Sequence, residues 1–233
     1  DGLTNDGTIS GVTYVGGIAG SNTGKIQNTH NNVTLNVNID ALGTDETAQY
    51  FGGVVGINEE NGIIGDATNT ADVNANGAEF VGGIVGYNKG TLENMAGNTG
   101  NVIGKDYVGG VAGKNDQDLD GVDASNTGMV HATNGGAGGI FADNNGHITN
   151  SILTNNAIVA GTGTTGATGG IIGVNSGDIT YSSLKNEVNG QVIGMNNVGG
   201  LIGQNSGNIA GGRDAGDGYY KYQIYNNGII QVG

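Results

Sequence analysis

Apolar positions in this chain come in short bursts interrupted by glycine, not at helical spacing. The segment FVGGIVGYNKGTL, 80–92, is typical: aliphatics flank a glycine pair, and Asn-x-Gly closes the run. Nearly the same phrase recurs along the chain. Its glycine pairs begin at Gly16, Gly52, Gly82, Gly109, Gly138, Gly169 and Gly199, at spacings of 36, 30, 27, 29, 31 and 30. A period near 30 residues marks a repeat architecture, and it outranks any local reading. An aliphatic follows each pair (Ile18, Val54, Ile84, Val111, Ile140, Ile171, Leu201), then a glycine, replaced once by Ala142. Asparagine comes next, at Asn22, Asn58, Asn88, Asn115, Asn144, Asn175 and Asn205. In most copies a glycine and a second aliphatic complete the phrase, and a looser apolar stretch such as 33–39 or 192–193 follows.

Short β-branched runs separated by Asn-x-Gly are strand and turn chemistry. Helix is disfavoured, because glycine costs about 1 kcal/mol per residue relative to alanine inside one. Each repeat is expected to supply three short strands and three turns. One such unit cannot bury its apolar face alone, so units must stack. The fold class predicted is all-β: a right-handed parallel β-helix, or β-solenoid, of about seven coils, the hand following from strand twist. At ~4.8 Å per coil it would stand about 34 Å tall. A seven-bladed propeller is the alternative, although blades usually need longer repeats. In a stacked register the aliphatics form an interior ladder, and the asparagine column sits at a corner, its amides bonding from coil to coil.

Composition narrows the partners. The chain has 50 Gly, no Pro, no Cys and no Trp, with a formal net charge of −14. That much negative charge disfavours nucleic acid and anionic lipid. No apolar run reaches the roughly 20 residues that a membrane helix needs, so membrane insertion is not expected. A start at Asp1 without a signal-like segment reads as a mature or excised fragment. The N-terminal DGLTNDGTISG looks like the second half of a repeat, which fits either a longer solenoid or end-to-end stacking.

The phrase as it stands in GGIAGSNTGKI (16–26), GGIVGYNKGTL (82–92), GGIIGVNSGDI (169–179) and GGLIGQNSGNI (199–209) resembles the GLUG motif. That repeat occurs in bacterial secreted and surface proteins, including adhesins and the non-catalytic regions of some immunoglobulin A proteases. The resemblance runs from Gly16 to about Gly211. It implies a β-helical region outside the cell, and it brings no catalytic residues. The chain contains no HExxH, and its His30, His131 and His147 are scattered in sequence.

Three local features carry candidate chemistry. Between Asn115 and Asn126 the stretch DQDLDGVDAS reads as an insertion. Its Asp116, Asp118 and Asp120 before Gly121 have the alternating spacing with which loops wrap calcium, and Asp123 is a fourth candidate ligand. The distal EF-hand position is Thr127 rather than Glu, and a solvated acidic loop is the competing reading. Aromatics stand two residues before the first four glycine pairs (Tyr14, Tyr50, Phe80, Tyr107), as packing or as a sugar-binding face. Finally, the tail GYYKYQIYNNGIIQVG departs from the phrase. Its Tyr219, Tyr220, Tyr222, Ile224 and Tyr225 suit a cap, a final coil, or strand addition to a neighbouring subunit.

The organisation expected is a solenoid over 1–211 and a tyrosine-rich cap or assembly tail over 212–233. Catalysis is not expected. The one arginine, Arg213, lies in a glycine-rich stretch, and no spacing singles out a carboxylate pair. Nor do the threonines form the column of an ice-binding face. The function expected is a non-enzymatic structural or adhesive segment at a bacterial surface or outside the cell, with calcium as a possible cofactor. Its partners would be glycans or proteins of a host or neighbouring cell, or copies of itself. A filament subunit stacking head to tail is the alternative, and a polysaccharide-active enzyme ranks behind it.

Overall fold

In a computed structural model the chain is described over residues 4–5, 7–37, 48–211 and 222–232. Among these residues every strand pairs in parallel with its counterpart one repeat away, and the fold is a β-solenoid. The third coil shows the pattern. Glu79–Gly82 belongs to a first sheet, Val85–Asn88 to a second, Thr91–Asn98 to a third and Val102–Gly104 to a fourth. The first two sheets have seven strands each and the other two have eight. Seven coils therefore follow a half-coil made of Thr4–Asn5 and Thr8–Gly11.

The expectation of three strands per repeat is corrected to four. The phrase that reads as one glycine-weakened strand is two strands meeting at a corner. The first ends on the leading glycine (Gly82), and the next begins at Val85. A Cβ on Gly83 would stand 2.2 Å from the Gly110 carbonyl oxygen and 2.3 Å from Cγ of Asn98. The second glycine of every other pair likewise faces an asparagine, Asn31, Asn69, Asn126, Asn155, Asn186 and Asn226 in turn. Glycine is required because backbone from one side of the coil touches an asparagine side chain from the other.

This contact pinches the cross-section into two lobes. One apolar core lies under the second and third sheets and contains Val85, Leu92, Phe141, Ile148 and Leu153. The other lies between the first and fourth sheets and contains Phe51, Val81, Val102, Val130 and Val159. Both are ladders of like residues, as in-register parallel stacking of the repeat dictates.

In the first six coils the third strand bends at a residue of left-handed backbone conformation: Asn28, Asp66, Asn94, Gly121, Asn150 and Tyr181. From the fourth coil onward this bend separates a short strand (Leu119–Asp120, Ile148–Thr149, Ile179–Thr180, Ile209–Ala210) that forms a fifth sheet. The stretch after Asn115 is therefore not an insertion. Leu119 pairs with Ile148, Asp123 with Ile152, and Asn126 with Asn155, so the segment is an ordinary rung.

Candidate functional site

Two asparagine ladders run the length of the solenoid. In the first, each Nδ2 donates to Oδ1 of the next asparagine at 2.8 Å, from Asn22 through Asn58, Asn88, Asn115, Asn144 and Asn175 to Asn205. The second, absent from the sequence reading, joins Asn31, Asn69, Asn98, Asn126, Asn155, Asn186 and Asn226 at 2.6–2.9 Å. Most rungs spend their second amide hydrogen on the turn carbonyl two residues on, as Asn98 does with Gly100 and Asn144 with Gly146. A buried rung needs two donor hydrogens and an acceptor at once, which asparagine supplies at this length and aspartate does not.

The acidic stretch is absorbed into this stacking. Asp118 accepts the His147 backbone N–H at 2.8 Å, and Asp120 accepts from the Asn150 amide at 2.8 Å. Asp116 accepts from Tyr87, from Asn145 at 2.7 Å and, 3.5 Å away, faces the Lys114 ammonium. Asp123 pairs along the third sheet with Met95 and Ile152. Among the described residues no three His, Cys, Asp or Glu side chains converge as a metal would require. Part of this spacing also belongs to the solenoid: Gly121 occupies the left-handed corner that other coils fill with Asn, Asp or Tyr.

The outer flank over the first and second sheets carries the aromatic residues. Tyr14, Tyr50, Phe80 and Tyr107 form one stack, with centroids 5.1, 5.5 and 5.0 Å apart and planes within 12°. Tyr87, one strand over, lies 6.0 Å from Tyr50 and 5.8 Å from Phe80, and the ammoniums of Lys89 and Lys114 stand 5.0 and 5.1 Å from its centre. All four column residues have φ between 53° and 62°, a conformation that costs a bulky side chain about 1–2 kcal/mol. Tyr14 is 49% exposed and Tyr107 39%, so the two ends of the stack face solvent.

Electrostatics on this flank are uneven. Burial acts against the Asp116 charge, but hydrogen bonds from Tyr87 and Asn145 and the nearby Lys114 together outweigh it and lower its pKa. Burial, with the bond to Asp116, pushes the Tyr87 phenol well above its usual range. Asp143, stacked between Lys114 and Val174 in the second sheet, has its pKa raised by burial, which Lys114 only partly offsets.

Below Tyr107 the aromatic column stops. Register places Gly136, Ala167 and then Asn197 in the following rungs. A hollow of about 460 Å³ opens there, lined by Tyr107, Gly136 and Ala167, with Asp106, Asn134 and Thr165 among its polar groups.

The C-terminal tyrosines lie elsewhere. Ile224–Asn226 pairs with Ser183–Asn186, and Ile230–Val232 with Val192–Gly194, so 222–232 completes the seventh coil in the third and fourth sheets. Tyr225 donates to Glu187 at 2.5 Å, and Tyr222 packs edge-on against Tyr181. Tyr219 and Tyr220 lie outside the described residues.

Compared with family models, curated proteins and solved structures, the chain matches none.

Proposed function

We propose that this chain is a non-enzymatic structural and adhesive segment of a bacterial surface or secreted protein, a stiff solenoid that holds its flank toward other surfaces. The observation that carries this reading is the pair of unbroken asparagine ladders. Every coil is tied to the next by two side-chain hydrogen bonds besides its sheet pairing, buried at every step but the last, which suits a spacer whose value lies in holding shape. The resemblance of the repeated phrase to GLUG motifs supports an extracellular setting, and the aromatic flank supplies the contact face. Beads coated with the purified protein should adhere to bacterial or epithelial cell layers under flow. Replacing Tyr14, Tyr50 and Tyr107 together by serine should abolish that adhesion. Beads that never adhere would overturn the adhesive role.

One observation favours a filament as the second reading. Val198–Gly199, Ile202–Asn205 and Ile209–Ala210 end their sheets among the described residues, and Ile209 is 41% exposed. A heterologous end-on contact of that kind propagates. Sedimentation velocity at rising concentration decides: growing polymers support the filament, and a monomer throughout rejects it.

A further inference from the structure

We propose that the hollow below Tyr107 is a glycan subsite in which one uncharged pyranose ring stacks on Tyr107, where the aromatic column stops. The proposal names a ligand class for the contact flank and rests on the adhesive reading given above. One face of the Tyr107 ring lies on Phe80, 5.0 Å away and 6° from parallel. On the other side the next rung offers Gly136, which has no side chain, and then the small Ala167. The hollow fills that side and, at about 460 Å³, falls within the roughly 300–1,000 Å³ typical of ligand pockets. A ring seated there continues a stack that the protein has built over four coils, each ring of it held in a strained left-handed conformation.

The edge of the hollow selects the chemistry. Asp106 holds the Asn134 amide at 3.1 Å and stands 3.5 Å from the Lys105 ammonium, which also faces Glu79 at 3.6 Å. Thr165 donates to the Asn134 carbonyl at 2.7 Å. Carboxylate, amide and hydroxyl oxygens thus surround the place where the edge of a stacked ring would lie. A pyranose has an apolar C–H face for the tyrosine and hydroxyls around its edge for these groups. An aromatic peptide side chain matches the face but leaves the polar edge unpaired, which costs affinity. Two carboxylates at the rim and a formal net charge of −14 disfavour uronic and sialic acids. Tyr181, 54% exposed at a left-handed corner away from the aromatic flank, does not line this hollow, so it serves as an internal control.

Saturation-transfer NMR and calorimetry with lactose, cellobiose, mannobiose and N,N′-diacetylchitobiose test the site, with sialyllactose and a Tyr-containing tetrapeptide as comparators. At least one neutral disaccharide should bind with its C–H face saturated by aromatic protons. Tyr107→Ala should weaken that binding roughly tenfold, while Tyr107→Phe retains it. Asp106→Asn should weaken it about fivefold, and Tyr181→Ala should leave it unchanged. Far-UV circular dichroism and melting of each variant separate lost binding from lost folding. The proposal falls if none of the four binds, if binding survives Tyr107→Ala in a folded protein, or if the tetrapeptide or sialyllactose binds in their place. Bead adhesion that persists when no disaccharide binds overturns the subsite alone; loss of both overturns the adhesive reading as well.

Discussion

Truncating Asn126 to alanine measures how much the second asparagine ladder holds. Its Nδ2 donates to Gly128 at 2.8 Å and to Asn155 at 2.9 Å, and its Oδ1 accepts from Asn98 at 2.8 Å and from the Gly128 N–H at 3.3 Å. The side chain is fully buried, so water cannot replace these partners. Alanine leaves one hydrogen of Asn98 and the Oδ1 of Asn155 unpaired in the interior, at about 1–3 kcal/mol each. The lost turn contacts at Gly128 add about 1 kcal/mol, which puts the cost at about 3–7 kcal/mol. Asn226, the exposed last rung, only accepts from Asn186 and closes its own turn, so Asn226→Ala should cost about 1 kcal/mol. Urea unfolding followed by far-UV circular dichroism gives both values, and hydrogen exchange localises the loss to coils three to five. Equal costs at the two positions, or a loss below about 1 kcal/mol at Asn126, would refute the argument that buried rungs hold the coils together.

Other outcomes follow from the same geometry. Gly110→Ala places a Cβ 2.1 Å from the Gly139 carbonyl oxygen and 2.5 Å from Cγ of Asn126, and should lose about 1–3 kcal/mol or more by thermal melting. The equivalent change at Gly24, where a Cβ meets nothing within 4 Å, should be nearly neutral. Phe80→Ala breaks three ring contacts and should lower stability by about 1–3 kcal/mol in calorimetry, more than Tyr14→Ala, which breaks one. Asp143→Asn should raise the melting temperature at pH 7. Because burial raises the folded pKa, the cost of the Asp143 charge is full above that pKa and fades as pH falls below the unfolded carboxylate value near 3.9. Asn and Asp proteins that converge only at neutral pH would reverse that sign.

Much of the fold is legible in the sequence because stacking repeats each environment once per coil. Seven glycine pairs, each followed by an aliphatic, a small residue and asparagine, report one corner seen seven times. The first asparagine ladder is readable because its spacing follows those pairs. The second is hidden because Asn31, Asn69, Asn98, Asn126, Asn155, Asn186 and Asn226 sit in the looser half of each repeat. Long segments at 38–47 and 212–221 stretch its first and last intervals. Asparagine is also common in the loops of this chain, so no single copy stands out. The strand count is hidden for a physical reason: a glycine pair looks like weakness inside one strand until the facing Asn98 explains it as a crossing point. The acidic stretch carries two readings at once. Alternate aspartates at a regular β rung and a glycine at a left-handed corner reproduce the spacing of a calcium loop. The hollow below Tyr107 leaves only a faint trace, the point at which the aromatic column gives way to Gly136 and Ala167.

A distance measurement along the outside of the solenoid tests the central claim most directly. Ser21 and Gln204 lie in one column of the second sheet, six rungs apart through Ile57, Tyr87, Lys114, Asp143 and Val174. The chain has no cysteine, so spin labels attach only where Ser21→Cys and Gln204→Cys place them. At ~4.8 Å per rung, double electron–electron resonance should give one narrow peak near 29 Å, widened only by the label arms. A broad distribution, or a narrow one far from that value, would contradict a rigid parallel solenoid and the stiff spacer built on it.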